Sequence, residues 1–283
     1  MSRARILKFG VGVVALLLSV PAAHAASYVV TSSSIFQSGN LDQVLQQASA
    51  APGPHTITFD PAILPATFTI SIFGRQTINY DLTMTGPGAD QVTIDFQRTN
   101  PGFGISAGRT VTFSGIKFAN ALVRGSLGAN GSTVAGPTPG GTAEGGCIRN
   151  EGNLTVENCV FQDCEAVGGD GGGGARNQNQ GGSAGGLACG GAIYHRGGSL
   201  TVAGCLFLGN KATGGNGGRG ASYFEVGEFS YGGGGGSAGA GLGGAIYSAA
   251  GTCSITRSTF SNQTANGGFG GSGGSFPAWP PPW

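Results

Sequence analysis

The sequence predicts an all-β protein in which short repeats stack on one another as a solenoid. Between residues 55 and 120, runs of β-forming residues alternate at a period of two and are separated by Gly, Pro, Asn or Asp. In the second half, a unit of roughly 20 residues recurs, which is too short for a core of its own but suits one turn of a solenoid. Only one segment has helical spacing, so the sequence disfavours helical folds.

The first predicted elements are a strand and a helix. Tyr28–Ile35 begins with strand-forming residues, and Asn40 is a good N-cap for the helix that follows. The apolar residues at helical spacing are Leu41, Val44, Leu45 and Ala48. The helix is predicted to end at Pro52. Further strands are predicted at Thr56–Phe59, Thr67–Ile72, Leu82–Met84, Val92–Phe96 and Val111–Phe113.

Three copies of the repeat can be aligned in the second half. Each begins with a Gly pair, continues into a short apolar strand and reaches a Phe 16 or 17 residues after the first Gly. The copies begin at Gly145, Gly190 and Gly243 and reach Phe161, Phe207 and Phe260. A weaker copy without the Gly pair covers residues 111–120. The paired glycines suit a tight corner where the backbone takes a positive φ or approaches another chain closely.

The repeat alignment also predicts which side chains point inward. In the second copy these are Ile193, Leu200, Val202, Phe207 and either Cys205 or Leu206. Equivalent residues of parallel, in-register repeats lie about 4.8 Å apart, and Cys159, Cys205 and Ser258 share one such position. A Cys159–Cys205 disulfide is therefore possible by distance. Two buried, stacked thiols are an equal alternative.

All six cysteines lie in the second half of the chain, at Cys147, Cys159, Cys164, Cys189, Cys205 and Cys253. An exported chain permits disulfides, and six cysteines allow 15 connectivities, among which the sequence does not choose. The sequence disfavours a zinc site because it has no C-x-x-C pair, and His55 and His195 have no ligand spacing.

Glycine is the most abundant residue, with 58 of 283 positions, 17 in residues 1–144 and 41 in residues 145–283. The glycines cluster and do not fall at every third residue throughout, which excludes collagen. Three Gly-rich segments, about 121–144, 168–186 and 211–241, cannot pack a core and are predicted to be loops that project from one side of the repeats. The Gly/Pro-rich tail, residues 266–283, is predicted to be disordered or the result of a truncation.

Residues 1–25 have the pattern of an export signal. A basic start with Arg3, Arg5 and Lys8 precedes an apolar run shorter than a membrane span, and Ala23-His24-Ala25 offers a cleavage site. The mature domain is then predicted over residues 26–265. Cleavage lowers the net charge from +1 to −2, so the mature chain has no basic excess to bind nucleic acid. No later segment is long and apolar enough for a transmembrane helix.

The elements Gly190–Tyr194, Gly243–Tyr247 and Phe207–Asn210 follow the patterns GGAI-Tyr and F-x-x-N. They resemble the repeats of polymorphic outer-membrane proteins and related bacterial surface adhesins. Segments 41–61 and 82–90 resemble the start of exported right-handed β-helix proteins. The resemblance implies a right-handed parallel β-helix of the pectin-lyase-like type over residues 40–265, with the early helix as its cap. In the other two copies the Asn of F-x-x-N is replaced by Cys164 and Gln263.

The sequence has no strong pattern of residues that would form a catalytic site. Glycoside hydrolysis needs two placed carboxylates, whereas the aspartates are scattered, at Asp60, Asp81, Asp90, Asp95, Asp163 and Asp170. Arg109 and Lys117, near Asp90 and Asp95, are the nearest approach to a lyase base beside a Ca²⁺ site. Their simpler interpretation is solvated surface charge. The sequence therefore assigns no catalytic, cofactor-binding or metal-binding residue, and no cofactor.

Export, repeats and Gly-rich insertions together favour an extracellular or outer-membrane-associated surface protein with an adhesin-like binding or structural role, rather than an enzyme. Its candidate partners are glycans, host surface proteins or like chains. Two alternatives remain at this point. One is a polysaccharide lyase or hydrolase of the pectin-lyase-like fold, and the other is a truncated autotransporter passenger fragment.

Overall fold

The structure is a computed structural model that describes residues 25–51, 53–71, 73–176, 178–222 and 232–274. The predicted export signal, apart from Ala25, and residues 275–283 of the predicted tail lie outside the described residues. Helix α1 spans Leu41–Ser49, and a single 3₁₀ turn spans Pro61–Ile63. The strands are β1 Ala26–Val30, β2 His55–Phe59, β3 Ala66–Thr69, β4 Gln76–Ile78, β5 Leu82–Thr85, β6 Val92–Asp95, β7 Phe103–Ile105, β8 Thr110–Ser114, β9 Lys117–Ala119, β10 Leu122–Arg124, β11 Ala143–Glu144, β12 Ile148–Asn150, β13 Asn153–Glu157, β14 Val160–Gln162, β15 Glu165–Val167, β16 Ala188–Cys189, β17 Ile193–His195, β18 Ser199–Ala203, β19 Leu206–Leu208, β20 Lys211–Thr213, β21 Gly241–Leu242, β22 Ile246–Ser248, β23 Thr252–Thr256, β24 Thr259–Ser261 and β25 Thr264–Asn266.

These strands form five sheets in which neighbouring strands always run parallel. The spatial orders are β1-β2-β5-β8-β13-β18-β23, β3-β6-β9-β14-β19-β24, β4-β7-β12-β17-β22, β10-β15-β20-β25 and β11-β16-β21. Each sheet takes one strand from each successive repeat. The prediction of an all-β protein is confirmed, with one α-helix among the described residues.

The register between strands matches the repeat alignment. Ile148 pairs with Ile193, which pairs with Ile246. Phe161 likewise pairs with Phe207, which pairs with Phe260. The weaker copy joins the same register, since Phe118 pairs with Phe161. We call each set of strands at one level of this stacking a layer.

Aromatic and aliphatic side chains form the core between the sheets. The rings of Phe118, Phe161, Phe207 and Phe260 stack in one column with centroids 4.6–5.1 Å apart. The residues predicted to point inward in the second copy are buried. Of the two alternatives at the corner, Cys205 is buried and Leu206 is half-buried, because the chain turns there and exchanges the inward and outward faces.

The Gly pair at the start of each repeat serves both predicted purposes. Gly145, Gly190 and Gly243 have φ of 58°, 68° and 61°. The second glycine approaches the next layer so closely that a Cβ on Gly191 would overlap the carbonyl oxygen of Gly244. The first position therefore needs glycine for its conformation and the second needs it for space.

Helix α1 packs beside β1, with Leu41, Val44, Leu45 and Ala48 buried in the core. Asn40 caps it by accepting a hydrogen bond from the Gln43 amide at 3.0 Å. The preceding strand is shorter than predicted and ends at Val30. The serines that follow turn the chain, since the Ser32 hydroxyl accepts a hydrogen bond from the Ser34 amide.

The disulfide joins Cys147 to Cys164, whose Cα atoms are 5.6 Å apart. Cys159 and Cys205 are buried free thiols, so the alternative of two stacked thiols is confirmed. Their sulfurs donate to carbonyl oxygens of the preceding layer, Phe113 at 3.5 Å and Val156 at 3.4 Å. The contact with Cys205 and burial raise the pKa of the Cys159 thiol.

Candidate functional site

The Gly-rich segments leave the sheets side by side as extended arms. Three successive layers each send out one arm and bring one back, and the next layer sends out a fourth arm. We call the whole set the Gly-arm bundle. The outgoing arms are residues 125–131, 168–176, 214–222 and 267–274, and the returning arms are 137–142, 181–187 and 232–240. At their base the two flanking sheets pack through four buried alanines, Ala143, Ala166, Ala188 and Ala212, with the half-buried Val123 beside them.

Hydrogen bonds between successive outgoing arms recur every three residues. The amides of Gly125, Gly128 and Gly131 donate to the carbonyl oxygens of Val167, Asp170 and Gly173, each at 2.8 Å. The next two pairs of arms repeat the pattern. Three residues per turn is the period of the polyproline II helix, which has no internal hydrogen bonds and leaves its amides available to neighbours.

We divide each outgoing arm into triplets whose first residue bonds to the next outgoing arm where one follows. From the second outgoing arm onward, the amide of the second residue generally donates to a carbonyl oxygen of a returning arm. A continuous zigzag of such bonds crosses the bundle through Gly268, Gly239, Gly215, Gly186, Gly169, Gly141 and Ser126, each donating to the next at 2.7–2.9 Å. A parallel zigzag runs through Gly271, Gly236, Gly218, Ser183, Gly172, Thr138 and Ala129. Backbone hydrogen bonds thus hold the bundle in two directions.

Glycine is required where arms touch. A Cβ on Gly172 would overlap the carbonyl oxygen of Ala129, whereas a Cβ on the next residue, Gly173, would meet its nearest neighbour at an ordinary 3.4 Å. The projecting segments therefore pack on one another through the backbone, which the sequence alone did not indicate. Residues 267–274, within the predicted tail, form the fourth outgoing arm.

Side chains at the third position of each triplet point out of the bundle, and some bond to the next layer. Asn130 Oδ1 accepts from the Gly173 amide at 2.8 Å, Asp170 Oδ1 from the Asn216 amide at 2.7 Å, and Asn216 Oδ1 from the Phe269 amide at 2.9 Å. These carboxylate and amide groups satisfy the backbone amides that face solvent. Asn216, Arg219, Ser222 and Phe269 are exposed on this face.

The scattered aspartates have local structural contacts. Asp60 caps the 3₁₀ turn at the Ala62 amide, Asp81 accepts from the Thr110 amide, and Asp95 accepts from the Gln97 amide and from Asn120. Asp90 and Asp163 accept from the neighbouring Gln91 and Gln162 side chains. Among the residues that the structure describes, Arg109 and Lys117 form no ion pair with Asp90 or Asp95.

The densest charged cluster lies beside β12 and β17. Arg149 bonds to Glu144 at 2.8 Å and to Glu151 at 2.6 Å, and Arg196 lies 3.8 Å from Glu151. Arg75 donates to the carbonyl oxygens of Phe103, Glu144 and Gly145, bridging two sheets. Desolvation and the nearby Arg149 lower the pKa of Arg75 to about 10. The cluster holds three arginines and two glutamates, and its bonds between neighbouring sheets suit a structural clamp.

His195, which follows a Gly-pair repeat, ends β17 as a buried residue. Its Nδ1 lies 2.9 Å from Asn150 Nδ2, and Asn150 Oδ1 accepts from the Gly152 amide. That pattern makes Nδ1 the acceptor and leaves the ring neutral. Burial lowers the pKa of His195, so it belongs to the polar interior between layers. His55 is also buried, against Tyr28 and Tyr80.

Over the described part of the chain, no three His, Cys, Asp or Glu side chains converge in an arrangement suited to a metal ion. In the same residues, no helix has the length and apolar character needed to cross a membrane. No family model, no curated protein and no solved structure matches this chain.

Proposed function

We propose that this chain is an exported protein of the cell surface or extracellular space whose Gly-arm bundle is an adhesin-like binding surface. The proposal includes a more specific fold assignment, a right-handed parallel β-helix in which each layer is one turn. In-register parallel sheets support that fold, since every layer pairs with the one before and the one after. The Cys147–Cys164 disulfide fits an oxidising compartment.

The observation that carries the binding role is the order of the Gly-arm bundle. Its backbone is bonded in two directions, so the side chains at third positions stand on a fixed lattice. A preorganised surface loses little conformational entropy when a partner binds. The exposed residues, including Asn216, Arg219 and Phe269, are polar, cationic and aromatic, which are the types that make directed contacts.

Binding of this chain, labelled with a fluorescent dye, to intact eukaryotic and bacterial cells tests this role. Flow cytometry measures the binding. We expect saturable binding, which Gly173→Arg should weaken at least tenfold because it places a long cation at a third position that has room for it. The control is Thr201→Arg, on the outer face of β18, which should leave binding within twofold. Absence of saturable binding, or equal loss in both variants, would contradict the proposal.

A further inference from the structure

A second candidate surface lies on turns of the earlier layers, outside the Gly-arm bundle. It is a cleft of about 490 Å³ between three turns, the first after β1, the second after β3 and the third after β6. Known small-ligand pockets span roughly 300–1,000 Å³. The amide of Leu122 donates to the Asn100 carbonyl, so the cleft adjoins the strand from which the first Gly-rich arm leaves.

Two phenylalanines stand on this cleft with almost their whole surface in water. Phe36 is 92% exposed and Phe73 is 89% exposed. A lone exposed apolar residue is ordinary, but two aromatic rings lining one cleft form a patch that typically marks a binding site. Within the described residues, neither ring stacks on another aromatic side chain, so their faces are available.

Apart from Ile35 and Ile70, the rest of the lining is polar and uncharged. The residues with hydroxyl or amide side chains are Ser33, Ser34, Thr69, Ser71, Gln97, Thr99 and Asn100. No Asp, Glu, Lys, Arg or His is found among the described lining residues. Arg98, beside the cleft in sequence, is paired with Glu165. An anionic ligand would therefore find no counter-charge in this cleft.

Hydrogen bonds fix the polar groups of the cleft. The buried Asn100 donates through Nδ2 to the Ile70 carbonyl at 3.1 Å, and its Oδ1 accepts from the Gly74 amide at 3.3 Å. The Ser71 hydroxyl donates its proton to Asp42 Oδ2, which leaves the hydroxyl oxygen as an acceptor. Gln97 donates through Nε2 to Thr69 at 3.4 Å, which leaves its Oε1 as an acceptor.

Fixed acceptors beside exposed aromatic faces match the chemistry of a neutral sugar. A pyranose ring has an apolar face of C–H groups, which stacks on the negative face of an aromatic ring. Its rim carries hydroxyls, which donate to acceptors such as those of Ser71 and Gln97. We propose that the cleft between Phe36 and Phe73 binds a neutral oligosaccharide, as a site distinct from the Gly-arm bundle.

The test is calorimetric titration of the mature chain with neutral hexasaccharides of β-1,4-glucose, α-1,4-glucose, xylose, mannose and N-acetylglucosamine, and with hexagalacturonate as the acidic comparison. At least one neutral hexasaccharide should bind with a Kd below about 1 mM, which corresponds to a weak but specific site. Phe36→Ala and Phe73→Ala should each weaken that binding roughly tenfold, as expected for the loss of one stacking platform.

The matched control is Phe269→Ala, because that ring is 82% exposed on the Gly-arm bundle. It should leave the affinity unchanged. Saturation-transfer NMR should show magnetisation passing from aromatic protons to sugar C–H protons in the native chain. The proposal fails if no neutral hexasaccharide binds, if both Phe variants bind like the native chain, or if hexagalacturonate binds more tightly. Cell binding that is lost in Gly173→Arg and kept in Phe36→Ala would leave the function of the Gly-arm bundle standing on its own.

Discussion

Successive layers are held together by side-chain packing in the core between the sheets and by backbone hydrogen bonds in the Gly-arm bundle. In the core, layers meet through large side chains, such as the Phe118–Phe161–Phe207 column with ring centroids about 5 Å apart. In the Gly-arm bundle, successive layers meet mainly through backbone amides and carbonyls. Alanines at the base of the arms mark the transition from one to the other.

The two regions therefore differ in the substitutions that they tolerate. Burial of apolar area is not directional, so the core depends on volume and shape. Backbone hydrogen bonds are directional and need close approach, so the Gly-arm bundle depends on the absence of a Cβ at many of the positions where arms touch, such as Gly172. Its third position, as at Gly173, is open to almost any residue.

The largest effect is expected from Phe161→Ala, in the middle of the aromatic column. Phe161 is fully buried and stacks on rings above and below, so its truncation should lower the free energy of unfolding by about 3–5 kcal/mol. Phe260→Ala, in the same column but 40% exposed in the last layer, should cost about half as much. Urea denaturation measures both, and equal losses would show that the column does not act as a packed core.

A smaller and local effect is expected from Gly172→Ala. Its Cβ would overlap the Ala129 carbonyl, so neighbouring arms must separate, at a cost of about 1–3 kcal/mol, typical of overpacking. Hydrogen exchange should show faster exchange at the amides of the arms and unchanged protection in β13 and β18. The adjacent Gly173→Ala should change neither. Loss of protection in the strands as well would mean that the bundle and the core unfold together.

The smallest effect is expected from Asn216→Ala, which removes the acceptor of the Phe269 amide. One solvent-accessible hydrogen bond contributes about 0.5–1.5 kcal/mol, and the loss should appear as faster exchange at the Phe269 amide. Asn216→Asp keeps an acceptor oxygen and should restore slow exchange at that amide. If both variants exchange like the native chain, the outward side chains do not support the bundle.

The sequence contained most of the information on the core and little on the bundle. Paired glycines, the Phe at a constant distance and the Asn40 cap are local signals, and each acts through its own conformation or volume. The disulfide could not be predicted because Cys147, just before β12, and Cys164, just before β15, come together only when the chain folds around one layer, which spacing does not reveal. Phe36 and Phe73 fall next to predicted strands, where an aromatic residue suggests burial.

The one available signal for the bundle was the period of three within the Gly-rich segments. Glycines recur at 125, 128 and 131 and at 214, 217 and 220, but such runs also occur in flexible linkers. Only the approach of several arms shows that their amides have partners. The partner of the Asn in the F-x-x-N pattern also lies in another layer. Asn210 and Gln263 both donate to the Phe carbonyl oxygen one layer earlier, at 3.0 and 2.8 Å.

The constant register between layers has a consequence for how such a gene can change. Each layer contacts its two neighbours through the same set of positions, so duplication of one repeat in the coding sequence would insert a complete new layer without disturbing the others. The copy would bring its own pair of arms and widen the bundle by one row. Unequal recombination between repeats could thus alter the size of the exposed surface in single steps while preserving every contact inside it.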